Sequence, residues 1–347
     1  MKKFFIGIDF SKKTMDASIV SKNEPNKLIA HKKFANSENG AQAMIDWASA
    51  KTHTETSADG DIMFCGEHTG SYCIVVADFL SDNGCYLWLG NPLDIKRSMG
   101  LVRGKDDKVD SMRIAIYAAT MEHKSRRYVR PSDASRALRK LLKMRSRLVE
   151  DRKKFKVAKS ESSLGIKDAE LSHMVESIQD SIIAELDSRI RQVEREIRSL
   201  IKHIEDMKKA FKVLTSMKGI GLVNASAIMC MTDSFKKFDY NSRQIAVYWG
   251  VVPYRNESGT SIRKGTHTCC ICHGWLRAIL TEAALSAIRH DDRMKAYYKR
   301  LLSKGKHKNV ALNNVKNKML KTLVAMVRDG KEYDSSFKSE APKVKCA

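Results

Sequence analysis

Short apolar runs separated by polar connections mark the first ninety residues. KFFIGID, residues 3–9, is an apolar run that ends in an acid. Apolar positions return at Ala17, Ile19 and Val20, after FSKKTMD, a polar connection short enough for a hairpin. A third strand is expected around Lys33 and Phe34. Apolar residues then recur at helical spacing, at Ala41, Met44, Ile45, Trp47 and Ala48. DIMFCG, residues 61–66, reads as a buried strand, and His68, Thr69 and Gly70 as a turn. A helix over 71–82 and a strand over 86–89 follow. Strands alternating with helices predict an α/β domain with a mixed sheet. Pro131 closes it.

The pattern then changes to long helices. From Arg136 onward, Leu138, Leu141, Leu142 and Leu148 lie among many Lys and Arg, which predicts a basic amphipathic helix. KSESSLGIKD, residues 159–168, makes a polar helix–helix turn. Ile183, Ile190, Ile197, Ile204 and Phe211 recur every seven residues, beside Leu186, Val193, Leu200, Met207 and Leu214. That seam suits a parallel two-stranded coiled coil and hence a dimer. The competing reading is an antiparallel hairpin with the helix of residues 136–157. LTSMKGIGLVNASAIM, from Leu214, has the form of a helix–hairpin–helix, with Gly219 and Gly221 at its turn. An apolar helix around Ile245 to Trp249 gives way to a Pro-, Gly- and Ser-containing loop flanked by Arg255, Arg263 and Lys264. The expected organisation is an α/β domain at 1–130, a helical coiled-coil segment at 131–214, a mostly α-helical C-terminal domain at 215–330, and a disordered polar tail at 331–347.

Charge adds a partner. The chain of 347 residues carries a formal net charge of +23. A surplus that large favours polyanions, nucleic acid first, with salt-dependent binding. No apolar run approaches the roughly 20 residues that cross a bilayer. MKKFFIGID meets Asp9 too early for a signal peptide and reads as a strand, so a cytoplasmic protein is expected. The eight cysteines are scattered, as free thiols in a reducing compartment would be.

Against this basic background one acidic stretch stands out, KDDKVDS from Lys105 to Ser111. Asp107 and Asp110 are three apart and share a helix face. Asp9 and Glu67 each end an expected strand, where open α/β sheets bind ligands. Oxygen-only ligands suit Mg²⁺ or Mn²⁺. Taken singly, each acid also reads as a cap or turn residue. Asp106 shares the face of Asp110, so spacing does not choose between Asp106 and Asp107. Ser258 and Ser261 are hydroxyls in a cationic loop, a setting for attack on a phosphodiester and equally an ordinary loop. His267, Cys269, Cys270, Cys272 and His273 lack the two separated Cys-x-x-Cys pairs of a strong zinc signal.

GIDFSKKTMDASIV, GEHTGSY and the K-x-D-x-x-D pattern at Lys105, Asp107 and Asp110 resemble the motif of the DEDD-type transposases of bacterial insertion sequences, relatives of the pilin-gene invertases. The C-terminal pieces resemble the same family: Gly250, Pro253, Ser258, Gly259, Leu276, Arg277, Ala283, Ala284, Arg289 to Asp291, and YYKRLLSKGKHKNVALNNVKNKML. The resemblance runs from about Ile6 to Val327. It departs at Ser111, where the family usually has Ala, and at THTCCICHGW in place of a Lys-Arg-Gly turn. It implies a RuvC-like (RNase H-like) catalytic domain in which Asp9, Glu67, Asp107 and Asp110 hold Mg²⁺ or Mn²⁺. It also implies that Ser258 is the nucleophile that cuts and rejoins DNA, with Ser261 as the fallback. Donor and target double-stranded DNA, a structured guide RNA (the bridge RNA) and a homo-oligomer, dimeric or tetrameric, are the implied partners. A metal-dependent nuclease without a covalent intermediate is the alternative.

Overall fold

A computed structural model describes residues 2–98, 100, 106–161, 168–258, 262–269 and 271–336. The chain divides into two compact units, Met1–Pro131 and Ser132–Ala347.

The first unit begins with β1 (Phe4–Phe10), β2 (Thr14–Ser21) and β3 (Leu28–Ala35), an antiparallel meander. α1 (Glu38–Thr52) follows, then β4 (Ile62–Glu67), α2 (Ile74–Asp82), β5 (Leu87–Gly90), α3 (Pro92–Ser98) and α4 (Asp107–Thr120). The sheet order is β3-β2-β1-β4-β5, with β4 parallel to both β1 and β5. It is the mixed sheet that the strand–helix alternation predicts.

Alternation along the strands divides the core in two. Ile6, Ile8, Met15, Ala17, Ile19 and Phe64 pack with Met44, Val76 and Leu80 of α1 and α2. Phe5, Val20, Met63, Cys65 and Trp88 pack on the other face with Ile114, Ala115, Tyr117 and Ala118 of α4. Gly7 lets α4 come this close. A Cβ on Gly7 would lie 2.1 Å from the Ser111 carbonyl oxygen and 2.3 Å from the Ala115 nitrogen.

The second unit opens with α5 (Asp133–Glu161) and α6 (Ala169–His203). Arg145 pairs with Glu194, Arg152 with Asp187 and Lys159 with Asp180. Each step of seven residues up α5 is matched by seven down α6, so the two helices are antiparallel. Ile190, Ile197 and Ile201 are buried, and Ile197 and Ile201 share a core with Leu138 and Leu142. At this end the heptad seam is therefore satisfied within the chain, as in the hairpin reading. The seam is also not one continuous helix. It breaks at Ile204, whose backbone is extended, and α7 (Glu205–Thr215) begins there.

α8 (Leu222–Thr232), α9 (Ser242–Tyr248), β6 (Pro253–Ser258), β7 (Ile262–Thr268), α10 (Gly274–His290), α11 (Asp292–Ser303) and α12 (Lys308–Asp329) complete the unit. One core joins Leu138 and Ile197 to Leu214, Ile228, Trp249, Leu276, Leu280 and Leu320. The expected border at 214/215 thus runs through a single core. Two further expectations are corrected. The cationic loop is an antiparallel ribbon of β6 and β7, in which Ser258 pairs with Ile262. The tail does not begin at 331, because Tyr333 packs on the core and its N–H donates to Ser216 Oγ at 2.8 Å. Beside it, Glu332 pairs with Lys212 at 2.8 Å and the Lys331 N–H donates to the Met326 carbonyl at 3.0 Å. Residues 337–347 lie outside the described residues.

Between α7 and α8, Gly219 has φ +95°, and a Cβ there would lie 2.5 Å from the Ala283 carbonyl oxygen of α10. The glycine serves helix packing at this turn. Among the described residues, no helix is long and apolar enough to cross a membrane.

Candidate active site

Each acidic position follows from the sheet. Asp9 is the penultimate residue of β1, and Glu67 is the last of β4. The parallel register pairs Ile8 with Gly66, so Asp9 and Glu67 are the next neighbours along the ladder. Across the antiparallel pair, Asp9 stands opposite Asp16. These residues share the sheet face of Phe5 and Cys65, the face that α4 covers.

α4 delivers the other two acids in its first turn, Asp107 and Asp110. Asp106 is the N-cap, and its Oδ1 accepts from the Lys108 N–H at 3.0 Å. Capping thus gives Asp106 a role that spacing alone left open. Two buried serines fix the start of α4 to the sheet. Ser18 and Ser111 meet Oγ to Oγ at 2.8 Å, and Ser111 Oγ donates to the Lys108 carbonyl at 2.9 Å. Ser111 stands where the resemblance leads to an expected Ala, and Ser18 supplies its partner.

Electrostatics ties the three segments together. The Glu67 carboxyl is pushed above the usual carboxylate range, by burial first, then by the charges of Asp9 and Asp110. Like charges separated by tens of residues in sequence therefore act on one another here. Cations flank the group. Arg113 Nη1 lies 3.0 Å from Asp110 Oδ1. Lys33 Nζ lies 3.3 Å from Asp16 Oδ2 and 3.9 Å from Asp107 Oδ2. His31 Nε2 lies 3.1 Å from Asp16 Oδ1.

Among the described residues, no three His, Cys, Asp or Glu side chains stand close enough together to ligate one ion as they are placed. Asp110 and Asp107 instead reach toward Arg113 and Lys33. The donor set itself fits a hard divalent cation: carboxylate oxygens on a rigid sheet end and helix start, with Glu67 held above its usual range by its burial and its neighbours.

Asp16, Ser18, His31 and Lys33 are the site neighbours that sequence reasoning missed. The hairpin at residues 11–13 was the available signal, because it fixes Asp16 opposite Asp9. Ser258 is the last residue of β6. Its side chain, with Gly259, Thr260 and Ser261, lies outside the described residues. Cys269, Cys272 and His273 precede α10, and burial holds His273 below its usual range. Cys270 lies outside the described residues.

Two transposase family models match successive parts of the chain, the first running past Pro131 into α5. Residues 6–159 match the transposase model DEDD_Tnp_IS110. Residues 211–299 match the model Transposase IS116/IS110/IS902 family. The pilin gene-inverting protein of Moraxella bovis is 26% identical over 338 residues, 96% of this chain and 98% of that protein. Its counterpart in Moraxella lacunata is equally similar, over the same shares. An IS110 uncharacterized 43.6 kDa protein of Streptomyces coelicolor is 29% identical over 159 residues, 45% of this chain and 39% of that protein. Among solved structures, T. thermophilus RuvC in complex with a Holliday junction substrate aligns with a TM-score of 0.26 and 11% identity. That alignment covers 35% of this chain and 96% of RuvC. An N-terminal and a C-terminal transposase model follow one another in this single chain, which is therefore similar to the IS110-type transposases over residues 6–159 and 211–299.

Proposed function

We propose that this protein cuts and rejoins DNA strands to move or invert a DNA segment, with Asp9, Glu67, Asp107 and Asp110 holding Mg²⁺ or Mn²⁺ and Ser258 as nucleophile. The observation that carries the proposal is the electrostatic coupling of Glu67 to Asp9 and Asp110, three acids from separate segments. When bound, the divalent ion supplies positive charge against the charge that develops on a scissile phosphate.

The residues of the chain do the remainder. The sheet end and α4 hold four carboxylates against their mutual repulsion. Ser258 Oγ attacks phosphorus, forms a phosphoserine ester and expels the 3′ oxygen. The serine proton passes to that oxygen, leaving a free 3′ hydroxyl. Attack of a 3′ hydroxyl on the phosphoserine ester restores a phosphodiester and the serine. The number of phosphoester bonds is unchanged, so no nucleotide cofactor is needed. The net charge of +23 supports a nucleic-acid partner. Donor and target DNA, a structured guide RNA and a homo-oligomer belong to the same proposal.

The test is to incubate the protein and its co-purified RNA with duplex carrying the element ends and Mg²⁺, then resolve covalent protein–DNA adducts. An adduct with wild type, absent in Ser258→Ala and in Asp9→Asn, is the expected result. Cleavage that persists in Ser258→Ala without any adduct in wild type would instead identify a nuclease in which water attacks. An adduct lost only in Ser261→Ala would move the nucleophile to that residue.

A further inference from the structure

Lys316 is a cation held inside the protein, and the reading above gives it no task. It is only 9% exposed on α12, where its Nζ donates to Thr281 Oγ1 at 3.4 Å. The charged group nearest to it in effect is another cation, Arg277, one helical turn before Thr281 on α10. Burial first, then Arg277, lowers the affinity of Lys316 for its proton. Arg277 Nη1 donates to the Cys269 carbonyl at 3.1 Å. Among the described residues, no carboxylate pairs with either cation. A buried cation that faces a second cation is costly, and buried charges are ordinarily paired.

Their place in the fold suggests the missing anion. Gly250, just before β6, abuts Cys272, since a Cβ there would lie 2.4 Å from Cys272 Sγ and 3.5 Å from Arg277 Cδ. Asn313 of α12 donates to the Val251 carbonyl at 2.8 Å. Arg277, Thr281 and Lys316 therefore lie at the base of the β6–β7 ribbon. Ser258 lies seven residues beyond Val251, at most roughly 23 Å at 3.3–3.4 Å per residue. That separation is at most on the order of seven nucleotides of a B-form strand.

We propose that Arg277, Thr281 and Lys316 form a binding site for a DNA backbone phosphate that flanks the scissile one. The two cations supply charge and N–H donors, and Thr281 Oγ1, which donates to the Arg277 carbonyl at 2.7 Å and accepts from Lys316 Nζ, holds Lys316 in place. The site reads no base. It sets the register of the strand on the ribbon that carries Ser258, and in this it rests on the proposed DNA chemistry. Thr281 and Arg277 are half-buried, so the site opens to a strand lying on the surface while Lys316 lies beneath.

The experiment uses the full chain and a fluorescent DNA duplex, with affinity measured across a range of potassium chloride concentrations. Lys316→Met is expected to weaken binding roughly tenfold at low salt, as loss of a charge-assisted contact does. The salt slope should become shallower by about 0.9 for each lost phosphate contact. Its melting temperature should equal or exceed that of wild type, because a desolvated cation beside Arg277 has gone. Arg277→Gln, a less buried change, should show the same flattened slope. A lower melting temperature in Lys316→Met with affinity and slope unchanged in both variants would make these residues structural and overturn the site. Weakened RNA binding with DNA binding intact would overturn the DNA assignment. A wild type that binds no DNA under any condition would instead defeat the proposed function itself.

Discussion

Ser18 of β2 and Ser111 of α4 meet at 2.8 Å, both fully buried, with Ser111 next in the chain to Asp110, one of the acids that α4 contributes. Through this contact a helix start and a sheet end become one support. Removing one hydroxyl costs the other its nearest partner and leaves it only the Lys108 carbonyl, whereas removing both takes away donor and acceptor together. Ser111→Ala should cost about 1 kcal/mol, and Ser18→Ala/Ser111→Ala less than the two single changes added together. A urea-unfolding double-mutant cycle measures the coupling. Strict additivity would mean that the serines do not act as a pair.

Gly7 sets the depth at which α4 lies. A methyl group there would meet the Ser111 carbonyl and the Ala115 nitrogen, both backbone atoms that cannot swing aside. Gly7→Ala should destabilise the first unit by more than about 3 kcal/mol, or push α4 off the sheet with loss of DNA cleavage. Thermal unfolding and a cleavage assay on one preparation separate the two outcomes. A variant with wild-type stability and activity would refute the close contact.

Glu67 makes function and stability pull in opposite directions. Its carboxyl is raised by burial, Asp9 and Asp110, so the ionised form is disfavoured in the folded state. Below the ordinary carboxylate range Glu67 is protonated in folded and unfolded chains alike, and it adds no penalty. As pH rises through the raised value the folded protein loses stability relative to a neutral side chain. Glu67→Gln should therefore melt higher than wild type at neutral pH without divalent ions, and the difference should fade in acid. The same variant should not cleave DNA. A lower melting temperature at neutral pH would show that the crowding is absent.

The α5–α6 hairpin gives a different contrast. Ile197 is fully buried against Leu138 and Leu142 of the same chain. Ile197→Ala should lower stability by about 3 kcal/mol at any protein concentration, because it opens a cavity in the chain's own core. Sedimentation alongside denaturation tests this. Separation into folded monomers with unchanged unfolding would place that isoleucine in an interface instead.

Much of this was legible in residue order, for physical reasons. Strands and helices of the first unit follow from period-two and period-3.6 patterns, and both Asp9 and Glu67 fall at strand ends as the pattern predicts. The heptad run was harder. Ile190 and Ile197 obey a seven-residue period, but that period does not say whether the partner helix belongs to the same chain. Ile204 breaks the helix with no proline or glycine to announce it. The ribbon holding Ser258 read as a loop because arginines and a polar turn interrupt any apolar alternation. Asp16 and Lys33 were hidden because each looks like a surface residue until ladder register places it beside Asp9 or Asp107. Lys316 was hidden because burial of one lysine in a basic helix has no signature in sequence.

Metal binding by the carboxylate group tests the central claim without any knowledge of the target DNA. Mn²⁺ titrated into the metal-free protein can be followed by the loss of its free-ion paramagnetic resonance signal. Wild type should bind Mn²⁺, Mg²⁺ should compete, and Asp9→Asn, Glu67→Gln and Asp110→Asn should each weaken binding at least about tenfold, as loss of a carboxylate ligand does. Binding that is unchanged in all three variants, with the fold intact, would show that these acids do not share an ion.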